Sequence, residues 1–456
     1  MKVSYHSRIT AIAMFALLLP HSALAQWKES ALYSFQGGKD GYYPTGGLVL
    51  DQFGNIYGVT QDGGAGSCGG FFSCGTVYEL SPPARRGDPW TKTTLHNFQG
   101  VKEGDGISPS GSLLMDDAGN LYGMTAYGGT GGCVVLGAIE GCGTIFEMVP
   151  PKTKGGEWTE KVLYSFKGGT DGFAPNGALN FDGEGNLYGA TVFGGGKGTC
   201  DVLYQYCGTV FVLSPSDKDG GVWTEKVLYS FEGGNDGAYP SGGFVFGGDG
   251  TFYGTTEMGG NSKCSGPNGV GCGTAFSLTP TARPGVWDKK IIHRFLGGSH
   301  DGGGPSAPTM DVSGALLGTT VGGGLDGFGT IFELDEAEND WTETVLYTFY
   351  AVAHPRGALA SDRSGNFYGA TCFGGPVGGG AIFELSPENL GWTFKDLYFF
   401  KGSPNGECPI GTVTLDESGN IYGITQYGGT GSCQGGGCGT VFKAMFETPL
   451  TAIITH

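Results

Sequence analysis

The chain has 456 residues, with 25 basic and 43 acidic side chains, 92 glycines, 22 prolines and 12 % aromatic residues. An acidic surface of this kind repels phosphate backbones and anionic lipid, which argues against a nucleic-acid partner. Glycine and proline reach the edge of the low-complexity range, but the aromatic residues recur with the glycines at a fixed spacing, which marks each glycine as turn punctuation and excludes disorder.

Residues 1–25 read as a secretory signal: Lys2 and Arg8 supply the charge, Ile9 to Leu19 the apolar run, and Ala23-Leu24-Ala25 a small-residue cleavage site. That run is too short to cross a bilayer, and no later stretch is longer, so no membrane span is expected. The mature chain keeps 23 basic against 43 acidic residues, a net charge of −20. The expected location is secreted or periplasmic. The expected division is signal 1–25, one repeat domain 26–446 and a tail 447–456.

Seven tryptophans (Trp27, Trp90, Trp158, Trp223, Trp287, Trp341 and Trp392) mark one place in a repeating unit, at intervals of 63, 68, 65, 64, 54 and 51 residues. In the third unit, Trp158 to Phe166 reads as a strand, Gly168-Gly-Thr-Asp171-Gly as a connector, and Gly177 to Asp182, Asn186 to Thr191 and Gly208 to Leu213 as three further strands. Each run is rich in Val, Leu, Tyr, Phe and Thr and is bounded by Gly, Pro, Asn or Asp. Asp-x-x-Gly-Asn pieces such as Asp51 to Asn55 and Asp416 to Asn420 suit tight hairpins rather than metal loops. Four strands per unit predict an all-β, seven-bladed β-propeller with four antiparallel strands per blade, the ring closed by the N-terminal outer strand. An open β-solenoid is the alternative.

The ordered strings Leu-Tyr-Ser-Phe-x-Gly-Gly-x-Asp-Gly, Gly-Asn-Leu-Tyr-Gly-x-Thr-x-x-Gly-Gly and Gly-Thr-Val-Phe-x-Leu-Ser-Pro resemble the GloVer tandem-repeat family of exported bacterial proteins, with a grammar similar to kelch and NHL propellers. The resemblance implies export and architecture. It implies no activity. By the same analogy the Trp-bearing strand is outermost and the Gly177 run innermost.

Twelve cysteines in an exported chain imply disulfides. Ten pair within the loop between second and third strands: Cys68 with Cys74, Cys133 with Cys142, Cys200 with Cys207, Cys264 with Cys272, and Cys433 with Cys438. Cys372 and Cys408 remain, on neighbouring units and the same face, and are expected to join. The zinc reading of the cysteines fails for want of four convergent ligands, and no metal site or cofactor is expected.

The cysteine loops and the connectors share one face, where binding would sit. Connector acids Asp40, Asp105, Asp171, Asp236 and Asp301 could ring that face and attract Ca²⁺, or each could cap its own turn. Units five and six break the pattern, which makes His300, Asp301, His354 and Arg356 a candidate ligand-binding cluster, against simple repeat decay. His96 and His293 take the Tyr position of the outer strand and read as structural. No nucleophile elbow, zincin motif or P-loop occurs, so no catalytic residue is assigned. The expected function is a monomeric binding or surface-interaction module for a glycan or cell-surface protein; the alternative is an extracellular polysaccharide lyase or hydrolase.

Overall fold

The structure is a computed structural model that describes residues 26–447 apart from 67, 69–72, 136, 154, 197–206, 217–220, 261–270, 284, 339, 351, 390 and 434–435. The signal, most of the tail, Cys200 and Cys264 therefore lie outside the described residues. The fold is all-β in a propeller-like arrangement, and among the described residues the only helical elements are short 3₁₀ turns.

Strands assemble in consecutive fours, each an antiparallel meander. Sheet A holds Tyr42–Leu50, Ile56–Asp62, Thr76–Ser81 and Thr91–Asn97. Sheets B (Gly106–Met115, Leu121–Gly128, Thr144–Val149, Thr159–Ser165) and C (Phe173–Phe181, Leu187–Phe193, Thr209–Ser214, Thr224–Ser230) touch through one parallel bridge, Ala178 to Ser112. Sheets D (residues 238–294) and E (302–348) have inner strands broken in two, and the inner strand of sheet F (360–399) shrinks to Ala360–Ser361. Sheet G takes Glu407–Leu415, Ile421–Tyr427 and Thr440–Glu447, and its outer strand is Gln26–Ser34, so that Trp27 lies opposite Phe446.

Burial explains the strand chemistry. The third strand is covered on both faces, and Thr209-Val-Phe-Val-Leu accordingly has little polar alternation, whereas the outer strand Thr224–Ser230 alternates exposed and half-buried positions. Where second and third strands meet, buried threonine pairs share a hydroxyl hydrogen bond, as in Thr60–Thr76, Thr125–Thr144 and Thr191–Thr209, each at 2.8 Å. The pair satisfies two hydroxyls that would each be costly to bury alone.

The core lies between sheets. At every junction the phenylalanine ending one outer strand meets an aromatic ring on the third strand of the next sheet: Phe98–Phe146, Phe166–Phe211, Phe231–Phe276, Phe295–Phe332, Phe349–Phe383, Phe400–Phe442 and Phe35–Tyr78, at centroid separations of 5.0–5.5 Å. Phe98 and its counterparts are almost wholly buried. Each such side chain contributes about 1.5–3 kcal/mol by burial and the edge-to-face pair about 0.5–1.5 kcal/mol more. A Cβ on the glycine opening each third strand would meet the ring of a proline in the following sheet, as at Gly75 with Pro109, Gly143 with Pro175 and Gly439 with Pro44.

Cys68–Cys74, Cys133–Cys142, Cys433–Cys438 and Cys372–Cys408 are disulfides. Cys207 and Cys272 are disulfide-bonded as well.

Candidate functional site

The connector acids are engaged at the sheet junctions. Asp40 accepts hydrogen bonds from the Tyr33 hydroxyl and the Gln36 amide, both at 2.8 Å, and Asp171 and Asp236 repeat this with Tyr164 and Lys167, and with Tyr229 and Glu232. Asp105 takes the Gln99 amide and faces His96 Nε2 at 3.0 Å, while Asp301 takes the Leu296 amide and faces His293. Each carboxylate serves its own turn.

A third residue, two positions after each tryptophan, reaches the same junction from the following sheet. Lys92 Nζ lies 3.0 Å from Asp40 and Lys289 Nζ lies 2.7 Å from Asp236, both side chains nearly buried. Burial lowers the pKa of both lysines, and the aspartates oppose that. At four of the other five junctions the position is a glutamate, Glu29, Glu160, Glu225 or Glu343. Burial and then Asp171 push Glu225 up to about 8. Burial and then the local aspartate push Glu160 and Glu343 up to about 7, with His96 and His293 acting in the opposite sense. At the junction from sheet E to F, where the connector is lost, Phe394 stacks on Tyr347 at 3.7 Å.

Next to each junction one residue adopts a left-handed backbone just before a proline: Tyr43, Ser108, Ala174, Tyr239, Gly304, His354 and Cys408. The amides of Tyr43, Ser108, Ala174, Tyr239, Gly304 and Cys408 reach back to the preceding sheet. Ser108, Ala174, Tyr239 and Tyr43 donate to the carbonyls of Cys74, Cys142, Cys207 and Cys438. The disulfide loops therefore brace the contact between sheets.

The inner strands converge on glycines. A Cβ at Gly46 would run into the Gly111 carbonyl, at Gly111 into that of Gly177, and at Gly411 into that of Gly46. Sheet E has no such glycine and places Ser306, Ala307 and Pro308 there, and a cavity of about 1620 Å³ opens along the axis toward sheets D, E and F. Its lining includes Glu257, Ser299, Val321, His354 and Arg356. Burial raises the pKa of Glu257, and the Arg356 guanidinium opposes the rise. His354 Nδ1 donates to the Val321 carbonyl at 3.0 Å, which fixes the ring and leaves Nε2 available.

His354 and Arg356 thus share one cavity with Glu257, which sequence reasoning passed over because unit four looks regular. His300 is not among the lining residues: it is exposed and 2.6 Å from Ser299 Oγ. Asp301 is buried in its junction with His293.

Similarity to solved structures is distant. The chain resembles a putative oxidoreductase (glucose dehydrogenase) from Thermus thermophilus, at 14 % identity and TM-score 0.40, covering 92 % of this chain and 100 % of that one. It also resembles a protein of unknown function from Dyadobacter fermentans, at 11 % identity and TM-score 0.41 over 92 % and 99 % of the two chains. A gluconolactonase from Xanthomonas campestris matches at 12 % identity and TM-score 0.37, over 67 % and 79 %. No curated protein matches the sequence. The pattern of the Gloeobacter/Verrucomicrobia repeat matches residues 264–455, and over those residues the chain is similar to that repeat family.

Proposed function

We propose that the protein is an exported, closed seven-bladed β-propeller acting as a binding module, with a hydroxyl-rich ligand such as a glycan held in the axial cavity. Closure is supported by the pairing of Gln26–Ser34 with Thr440–Glu447 and by junction contacts from sheet G to sheet A that match those elsewhere, in Phe35–Tyr78 and Gly439 against Pro44. Export is supported by the disulfides, which persist in oxidising compartments.

The observation that carries the binding reading is the co-location of Glu257, His354 and Arg356 where the axial glycine series is interrupted. Glu257 supplies acceptors, Arg356 a planar set of donors, and the glycine-rich walls supply backbone amides and carbonyls. These are the groups that read sugar hydroxyls. A glycan-array screen of the mature chain, followed by calorimetry on the hits, tests this. Arg356→Ala and Glu257→Gln should each weaken binding about 10- to 100-fold, the loss expected for a hydrogen bond to a charged group. Undiminished binding in both variants would place the ligand elsewhere, and release of shortened sugars would favour the hydrolase or lyase reading.

A further inference from the structure

Two junctions carry a composition the others lack. Between sheets A and B stand His96, Asp105 and Glu160, and between D and E stand His293, Asp301 and Glu343; in each trio one ligand atom per residue lies within 4.8 Å of the other two. At the corresponding places the junctions G to A and C to D hold Tyr33, Asp40 and Lys92, and Tyr229, Asp236 and Lys289. Where the third position is lysine the first is tyrosine, and where the first is histidine the third is glutamate, while the junction from sheet B to C combines Tyr164 with Glu225.

We propose that each His-Asp-Glu trio binds one divalent transition-metal cation of the zinc type, which clamps neighbouring sheets as the lysine ammonium does at the other two junctions. Charge is the first argument. A lysine with an aspartate sums to zero, whereas Asp105 with Glu160, or Asp301 with Glu343, brings two carboxylates together in a half-buried place, where either a proton, as on Glu225 beside Asp171, or a dication restores balance. Unsatisfied atoms are the second. Glu160 Oε1 and Glu343 Oε1 are fully buried and make no hydrogen bond, and the same holds for Glu225 Oε1 and Glu29 Oε1 at junctions without a histidine, but only in the trios does an imidazole nitrogen, such as the buried His293 Nε2, stand beside them. Donor chemistry is the third. One imidazole nitrogen and two carboxylates suit zinc and its neighbours rather than Ca²⁺, which takes oxygen ligands. Three protein ligands leave a fourth position for water, and the side chain of His96 is 21 % exposed.

The test uses the oxidised mature chain, stripped with EDTA and titrated with Zn²⁺ alone. Elemental analysis and calorimetry should give two equivalents per chain, and Zn²⁺ should raise the unfolding midpoint by several degrees. Glu160→Lys and Glu343→Lys, which copy the lysine junctions, should each bind one equivalent, and the double variant none. The double variant should also have a midpoint near that of the zinc-loaded parent and indifferent to EDTA. If the lysine variants fail to fold, His96→Tyr and His293→Tyr copy the tyrosine of the same junctions and should remove one equivalent each. No uptake at micromolar Zn²⁺ would overturn the proposal and leave a proton shared by the carboxylates as the balancing charge. Two equivalents persisting in the double variant would overturn it equally, by placing the metal elsewhere.

Discussion

Replacing Gly111 by alanine measures how tightly the inner strands approach one another. Gly111 has φ +74°, and a Cβ there would fall on the carbonyl oxygen of Gly177, a backbone atom of the next sheet that cannot rotate aside. The left-handed backbone costs an alanine about 1–2 kcal/mol, and forcing the two strands apart adds about 1–3 kcal/mol. Gly119 is the control: its φ is +82°, and nothing lies within 4 Å of the added Cβ. Its alanine variant meets only the conformational term, partly offset by about 0.4–1 kcal/mol from a less flexible unfolded chain. The expected losses are therefore about 3 kcal/mol for Gly111→Ala and about 1 kcal/mol for Gly119→Ala. With an unfolding entropy of about 0.9 kcal/mol per kelvin for a chain of this size, those correspond to drops of about 3 °C and about 1 °C. Scanning calorimetry at one scan rate, without reductant, resolves the difference. Equal losses in the two variants would refute the close approach at the axis.

Removing the cross-sheet bridge with Cys372→Ala and Cys408→Ala should cost about 4 kcal/mol in the chain-entropy account of a loop this long, read by denaturant unfolding; an unchanged midpoint would refute it. Glu225 carries its proton in the folded state up to about 8 because of burial and Asp171. Its folded pKa is raised above the ordinary 4.5, so its stabilising contribution is full below pH 4.5 and is lost as pH rises through about 8. The unfolding midpoint should fall across that window, and Glu225→Gln should flatten the fall; parallel profiles for the two proteins would contradict this. Deleting residues 26–34 leaves the edge of Thr440–Glu447 unpaired, and the expected outcome is a broadened transition with aggregation visible by light scattering, because exposed strand edges template association.

The strand grammar was legible because its causes are local. Asp51 accepts from the amides of Phe53 and Asn55 and from the Asn55 side chain, which is the tight turn that Asp51-Gln-Phe-Gly-Asn55 suggests. The Cys372–Cys408 bridge was legible as well, since strand order alone puts both ends on one face. What escaped notice depends on register between units. Lys92 lies 52 residues from Asp40 in sequence, and Glu160 lies 55 from Asp105, so neither reads as a partner until the outer strand of one sheet is laid beside the connector entering it. His96 and His293 were read correctly as occupants of a tyrosine position, but the chemistry of that substitution appears only when its glutamate is seen. Glu257 escaped because it occupies a regular unit and acquires its setting from Arg356, about one hundred residues later.

The left-handed position before each proline has an evolutionary consequence. Tyrosine, serine, alanine, histidine and cysteine occupy nearly the same backbone there, with φ between 48° and 58°. The conformational cost is common to these residues but the packing is not, because Ser108, Ala174, Tyr239 and Cys408 are buried and Cys408 is bonded to Cys372. Selection at these positions is therefore relieved of a backbone penalty and bound chiefly by packing, least so at Tyr43 and His354. A library randomised at Tyr43 and His354, the two half-buried non-glycine positions of the series, would sample new side chains while retaining the parent's resistance to unfolding.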